Sequence, residues 1–114
     1  MPEIILAVST LPADFDAHAL AGELVDLRVA ACVTVLSGVR SVYRWEGALE
    51  RSAEQQLLIK TTRDRVEALW AALRARHPYD VPEFVVVPVV DGNPDYLRWV
   101  EESVSSSGLA TGLP

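Results

Sequence analysis

The feature that most constrains the fold is a long run of alternating apolar and polar side chains over residues 31–45. A glycine between two alternating runs, here Gly38, indicates a bulge or bend within one continuous strand. Glu46-Gly47 then predicts a turn, and the chain returns as a second strand through residues 55–61. This hairpin is longer than a domain of this length needs for its own core. We therefore expect the extra length to contact something outside the subunit.

Apolar side chains at helical spacing predict two helices. The first has its apolar side on Leu20, Leu24 and Leu27, ends near Arg28 and begins after an aspartate N-cap, Asp14 or Asp16. The second is predicted to start at a capping box, Thr61-x-x-Asp64, and to end at His77-Pro78, because a proline disfavours helical geometry in the residue before it. Its buried stripe is predicted to contain Val66, Leu69, Trp70 and Leu73.

Two further strands and a third helix complete the pattern. Residues 3–9 are largely apolar, and residues 83–90 form a fourth strand that contains Pro88. Asn93-Pro94-Asp95 is a strong helix start, with a capping side chain followed by proline at the first helical position. The apolar side of this last helix is predicted to be Tyr96, Leu97, Trp99 and Val100.

The order of elements predicts an α+β fold, a ferredoxin-like βαββαβ sandwich with an extra C-terminal helix. The second and fourth strands of that topology lie at the sheet edges, where a strand proline such as Pro88 is tolerated. Residues 1–104 are predicted to form the single domain. Residues 105–114 are polar and contain glycine, and they are predicted to be a flexible tail.

Both predicted edge strands are apolar, which would expose a monomer to edge-to-edge aggregation. Joining the second strand of one copy to the fourth strand of the next is a heterologous contact, and a closed ring of copies removes the hazard. The edges alone do not give the number of copies. The alternative is a monomer in which the last helix covers the fourth-strand edge.

Composition excludes several functional classes. The net charge of −6 and the scattered arginines argue against nucleic acid as a partner. The longest apolar stretch, residues 84–90, is too short to span a membrane, and no basic segment precedes a hydrophobic run at the N-terminus. A single cysteine, Cys32, excludes an intrachain disulfide framework and fits a reducing compartment, so a cytoplasmic location is expected.

Five blocks, in order, resemble the CutA family of divalent-cation tolerance proteins over residues 3 to about 104. The blocks are residues 30–33, 38–47, 57–61, 77–83 and 92–100. The resemblance implies a ferredoxin-like fold, a homotrimer made through strand edges, and an association with copper and other divalent cations.

This chain departs from the family pattern in two places. Thr34 and Ser37 stand where the family often has asparagine and proline, which affects only the bend. Thr10-Leu11-Pro12 stands where some members carry a cysteine after the first strand, so a metal site that depends on that thiol cannot exist here.

The metal-ligand candidates are His77, Cys32 and Glu83, and copper favours sulfur and imidazole together. His77 lies at a helix end, where it either caps carbonyls or makes a core hydrogen bond, or else contacts a metal or ligand. Cys32 is expected to be a buried structural thiol, and His18 to be solvated. Paired metal-ligand spacing is absent, so a closed site within one subunit is not expected. A site shared between subunits, using His77 with Glu83 or other carboxylates, remains open.

A second group of side chains is predicted either to line a small-molecule cleft between subunits or to anchor the trimer interface. Aromatic residues beside one lysine and several carboxylates suit both roles. The group contains Tyr43, Trp45, Glu46, Lys60, Tyr79, Glu83 and Trp99.

Enzymatic activity is not predicted, because no phosphate loop, nucleophile elbow or fixed acid–base pair is recognisable, and no organic cofactor is evident. The leading hypothesis is a non-enzymatic homotrimer that binds copper or another divalent metal in metal homeostasis. The alternative is a trimer similar to the PII regulators that binds a small-molecule effector in intersubunit clefts. A third interpretation is a purely structural assembly module.

Overall fold

The computed structural model describes residues 3–105. Three helices and four strands follow one another in the predicted order, with one turn of 3-10 helix before the second α-helix. They are β1 (Ile4–Pro12), α1 (Ala17–Asp26), β2 (Cys32–Trp45), β3 (Ala48–Thr62), the 3-10 turn (Arg63–Arg65), α2 (Val66–Arg76), β4 (Val85–Pro88) and α3 (Pro94–Val104). Apart from Ser105, the predicted tail lies outside the described residues.

The strands form one antiparallel sheet in the order β2-β3-β1-β4. The mixed α+β fold and the edge positions of β2 and β4 are therefore as predicted. Pro88 pairs with Ile5 as the last residue of β4. An edge strand tolerates this proline because only one of its sides must supply hydrogen bonds to the sheet.

The main core lies between one face of the sheet and helices α1 and α2. Alternate residues of the two central strands, such as Ile5 and Ile59, are completely buried there. They pack with Leu24 of α1 and with Leu69 and Leu73 of α2. Burying each such side chain stabilises the fold by about 1.5–3 kcal/mol.

The other face of the sheet is only partly covered. At one end α3 packs Val100 and Val104 against Ile4 and Ala31. In the middle, an apolar stripe that we call the open face remains accessible, and Val85 of β4 is 50% exposed. By strand alternation and register, the open face consists of Leu6, Val8, Leu36, Leu58, Val85 and Val87.

The β2–β3 hairpin extends beyond the rest of the sheet. The pairing shifts register between Leu36 and Val39, and Gly38 adopts φ +75°, which confirms the predicted bulge. The turn at Glu46 and Gly47 has φ of 49° and 83°. Since β1 pairs with β3 only from Glu54 onward, residues 39–53 form a two-stranded ribbon, which we call the distal ribbon.

The predicted start of the second helix is wrong. Thr61 and Thr62 continue β3, paired with Ile5 and Ile4 of β1, and α2 begins only at Val66. The Thr62 hydroxyl donates to the Asp64 carboxylate, while the buried Thr61 hydroxyl has no hydrogen-bond partner among the residues that the structure describes. Strand pairing with β1 outweighs the capping pattern. The hydrogen bonds between the two strands satisfy backbone groups that a helix start would leave unpaired.

Other boundaries also differ from prediction. Helix α1 ends at Asp26, so Leu27 is outside the apolar stripe and half exposed. Strand β4 is shorter than residues 83–90, and β3 begins at Ala48 rather than near residue 55. In α3 the buried side contains Val100 and Val104, whereas Tyr96 and Trp99 are exposed.

The predicted helix caps are confirmed at both α1 and α3. The Asp16 carboxylate accepts a hydrogen bond from the Ala19 amide, and the Asn93 side-chain oxygen accepts one from the Asp95 amide. Helix α2 ends at Arg76, directly before His77-Pro78 as predicted.

Candidate ligand-binding cleft

A cleft of about 750 Å³ lies between the distal ribbon and residues 77–84, the loop that joins α2 to β4. The end of β1 forms its floor. Its wall consists of Thr10, Ser41, Val42, Tyr43, Trp45, Glu54, Pro78, Tyr79, Asp80, Val81 and Glu83. Among these described residues, aromatic rings and carboxylates are both present, and Lys and Arg are not.

The centre of the wall is a contact between Tyr79 and Glu54. The Tyr79 hydroxyl donates a hydrogen bond of 2.7 Å to Oε2 of Glu54. Glu54 is buried, with only 5% of its surface exposed. Burial and the adjoining Glu54 carboxylate raise the pKa of Tyr79 well above its usual value. The phenol therefore remains a hydrogen-bond donor at neutral pH.

His77 holds the loop in place behind this contact. Its Nδ1 accepts a hydrogen bond of 3.1 Å from the Tyr79 amide, so the proton is on Nε2, which donates to the Thr10 carbonyl at 2.7 Å. Burial lowers the pKa of His77, although the Thr10 carbonyl and the Glu54 charge partly oppose that change. Protonation would convert Nδ1 from acceptor to donor and break the bond to Tyr79.

The far end of the loop is anchored at Glu83. The Ser9 hydroxyl donates to the Glu83 carbonyl at 2.7 Å, which fixes the Glu83 backbone, while Glu83 as a residue is exposed. Partial burial and the nearby Glu54 charge raise the pKa of the Glu83 carboxyl. Two carboxylates of the cleft therefore repel each other.

Tyr43 and Trp45 supply the opposite wall from the distal ribbon. The Tyr43 hydroxyl lies 2.8 Å from the Ser52 hydroxyl, across the strand pair. By strand alternation both aromatic residues point to the same ribbon face as Glu54. The two residues are 41% and 47% exposed, so a ligand in the cleft can reach them.

The predicted cleft residues fall into two groups. Tyr43, Trp45, Tyr79 and Glu83 line the cleft together, and Glu46 lies in the hairpin turn beyond the wall. Trp99 belongs instead to α3, and Lys60 faces that helix, with its ammonium 5.6 Å from the centre of the Tyr96 ring. Lys60 is six residues along β3 from Glu54, roughly 20 Å in an extended strand.

The three predicted metal ligands do not make a metal site within one subunit. Residues 3–105 contain no group of three His, Cys, Asp or Glu side chains placed to hold an ion. Both ring nitrogens of His77 already have partners in the protein. Cys32 lies opposite Lys60 at the other end of the sheet and is partly exposed rather than fully buried as expected. The described donors of a single chain therefore do not fit a resident copper ion.

Sequence reasoning missed Glu54 and Asp80. The return strand is predicted over residues 55–61, which leaves Glu54 just outside it. The useful signal is its register: Glu54 pairs with Pro12, at the point where β1 ends and the distal ribbon begins. A carboxylate at that junction is buried by the loop that passes over it.

The comparisons with known proteins agree on one family. The family model of the CutA1 divalent ion tolerance protein matches residues 5–103. The chain belongs to the CutA1 family. A divalent-cation tolerance protein CutA from Pectobacterium atrosepticum is 45% identical over 102 residues, which is 90% of this chain and 93% of that relative.

Solved CutA structures share the fold. The crystal structure of CutA from Xylella fastidiosa matches with a TM-score of 0.87 and 43% identity, covering 90% of this chain and 99% of that one. CutA from Synechococcus elongatus, solved in complex with a Bis-Tris molecule, matches with a TM-score of 0.81 and 33% identity over 90% and 95% of the two chains.

One CutA relative bears on the cellular compartment. The protein from Archaeoglobus fulgidus is described as periplasmic; it matches with a TM-score of 0.85 and 26% identity over 90% of this chain and 99% of that chain. The cytoplasmic location expected from the sequence therefore stays a prediction. Within residues 3–105 we find no helix with the length and apolar character needed to cross a membrane.

Proposed function

We propose that this CutA1-family chain acts in divalent-cation tolerance as a non-enzymatic homotrimer. The observation that carries the proposal is a pair of sheet edges, β2 and β4, on either side of the apolar open face; within residues 3–105 neither edge has a strand partner on its outer side. A second copy supplies the partner that each edge lacks, and a closed ring leaves no edge free. The number three comes from the family resemblance.

The position of α3 supports assembly over the monomer alternative. Helix α3 packs on Ile4 and Ala31, beside the central strands, and reaches only Val89 after the end of β4. It therefore does not lie along the β4 edge, which was the way a monomer was expected to protect itself. Val85 and Val87 remain 50% and 45% exposed in the single subunit.

The distal ribbon gives a second argument. A two-stranded ribbon without a third strand or a covering helix is marginally stable in water. Residues 39–53 form such a ribbon, with Val42 and Leu49 both more than half exposed. Packing against neighbouring subunits would bury these side chains and add the stability that the ribbon lacks alone.

Divalent cations enter the proposal through the family, and the geometry limits where they bind. Since the described donors of one subunit do not form a site, we propose that metal ions are held by donors from more than one subunit. Cys32 and Glu83 are accessible donors for such a site. His77 would contribute only by releasing one of its two hydrogen bonds.

Metal titration of assembled and dissociated protein tests this proposal. Val85→Lys places a charge on the open face and is expected to separate the subunits, and Val90→Lys, at a position 92% exposed, is the matched control. Calorimetry with Cu²⁺ and Zn²⁺ should give saturable binding to the native chain and to the control. The dissociated variant should lose it. Undiminished binding by separated subunits would contradict a shared site.

A second candidate function is effector binding in the cleft, as in the PII-like alternative. The specific observation in its favour is the cleft itself, which is large enough for a small organic molecule and mixes aromatic and carboxylate groups. A relative that forms a complex with Bis-Tris supports a small-molecule site in this family. A thermal-shift screen of small organic ligands tests it, because a ligand bound to the native state raises its stability.

A further inference from the structure

Within residues 3–105, the cleft contains a buried carboxylate, Glu54, that has no positively charged partner. Glu54 is 5% exposed, and its identified side-chain partner is the neutral hydroxyl of Tyr79. The two ion pairs found within residues 3–105 join Arg76 to Glu23 and Arg98 to Asp95, both away from the cleft. A carboxylate removed from water is costly unless it is compensated by hydrogen bonds and an opposite charge.

Neighbouring groups make this charge more unfavourable. Glu83 and Asp80 line the same cleft, so three carboxylates surround one cavity. The pKa of Glu83 is raised partly by the Glu54 charge, which indicates that the carboxylates already repel each other. A positively charged ligand would relieve that repulsion.

The aromatic side chains restrict the kind of cation. Tyr43 and Trp45 expose their rings on the ribbon wall, and Tyr79 stands on the loop wall. Aromatic faces attract cations with little bound water, whereas a small metal ion would need several oxygen or nitrogen ligands in a fixed geometry. The hydroxyls of Thr10 and Ser41 add polar contacts for a ligand that carries hydroxyl groups.

We propose that the cleft is a binding site for small organic ammonium ions, held by the Glu54, Glu83 and Asp80 carboxylates and the rings of Tyr43 and Trp45. This inference rests on the effector cleft proposed above and names the chemical class of its ligand. The ammonium group lies against the aromatic wall, with Glu54 as its buried counter-charge. All five of these residues belong to one subunit.

Choline and its neutral carbon isostere, in which a tert-butyl group replaces the trimethylammonium group, provide a matched pair of probes. Isothermal calorimetry on the full chain should give saturable choline binding, with the isostere at least about tenfold weaker because it lacks the charge that the carboxylates and rings attract. Equal affinity for the two probes, or no measurable binding of choline, would overturn the proposal.

Protein variants locate the site. Glu83→Gln and Trp45→Leu should each weaken choline binding by at least about fivefold, which is the effect of losing one charge contact or one cation–π contact. Glu102→Gln removes the same charge from the exposed side of α3 and should leave the affinity unchanged. Similar losses in all three variants would indicate only a general attraction to an acidic protein and would contradict a defined site.

The oligomeric state of the same samples separates this inference from the proposed assembly. Choline binding by a chain that sediments as a monomer would leave the cleft proposal standing and reject the trimer. A stable trimer that binds choline and the isostere equally would reject the cleft proposal and leave the trimer standing.

Discussion

Tyr79 and Glu54, 25 residues apart in the chain, are joined by a hydrogen bond of 2.7 Å between the phenol and carboxylate oxygen Oε2. The contact joins the loop after α2 to the base of the distal ribbon. It also buries the Glu54 carboxylate, and so it couples the stability of the loop to the electrostatics of the cleft.

Removing this hydrogen bond should destabilise the protein. Tyr79→Phe leaves the buried Glu54 carboxylate without its identified partner, and the expected loss is about 1–3 kcal/mol in the free energy of unfolding. Tyr96→Phe, on the exposed side of α3, is the control and should change little. Urea unfolding of both variants measures the difference, and equal stabilities would mean that the Tyr79–Glu54 bond contributes nothing.

His77 should make stability fall in mild acid. Its pKa is lowered in the folded protein from the usual 6.5, so the unfolded chain binds the proton more readily. The stability that depends on neutral His77 is present above pH 6.5 and is lost as the pH falls through the folded-state pKa. His77→Gln retains an N–H donor for the Thr10 carbonyl but does not titrate.

Unfolding curves across this pH range test the assignment to His77. The native chain and His18→Gln, altered at an exposed position of α1, should both lose stability as the pH falls below 6.5. The His77→Gln variant should show a shallower dependence. An unchanged pH dependence in His77→Gln would assign the effect to other groups.

Glu83 should have the opposite pH signature. Its pKa is raised in the folded protein above 4.5, so the ionised carboxylate costs stability at neutral pH, and that cost disappears as acid protonates it. Glu83→Gln is therefore expected to be more stable than the native chain near pH 7, and the difference should disappear as the pH falls below 4.5. A variant that is less stable at neutral pH would show that the carboxylate makes a favourable contact instead.

The bulge at Gly38 should tolerate no side chain without strain. Gly38 has φ +75°, where L residues are disfavoured, so Gly38→Ala should cost about 1–2 kcal/mol. Gly22, inside α1 with open space where a Cβ would stand, is the matched control, and Gly22→Ala should stabilise by about 0.5–1 kcal/mol. Thermal unfolding should show a lower stability for Gly38→Ala and a higher one for Gly22→Ala. A Gly38→Ala variant as stable as the native chain would contradict a fixed bulge.

The sequence was most informative where local chemistry determines structure. The bulge at Gly38, the caps at Asp16 and Asn93, and the end of α2 at His77-Pro78 each depend on residues close in the chain. These features follow from backbone preferences that neighbouring residues impose directly.

The failures arose where distant strands override a local signal. The Thr61-x-x-Asp64 pattern looks like a helix start, but pairing with β1 draws Thr61 and Thr62 into β3. Glu54 gains its role only from strand register and from the loop that covers it. Lys60 and Trp99 were grouped with the cleft residues, although register places Lys60 at the other end of the sheet.

We propose that edges β2 and β4 need neighbours from other copies of this chain. Sedimentation of the native protein at micromolar concentration tests it most directly, with Val85→Lys and Val90→Lys run in parallel. We expect one species with the mass of three chains for the native protein and for Val90→Lys, and smaller species for Val85→Lys. A native chain that sediments as a compact single subunit would contradict the account.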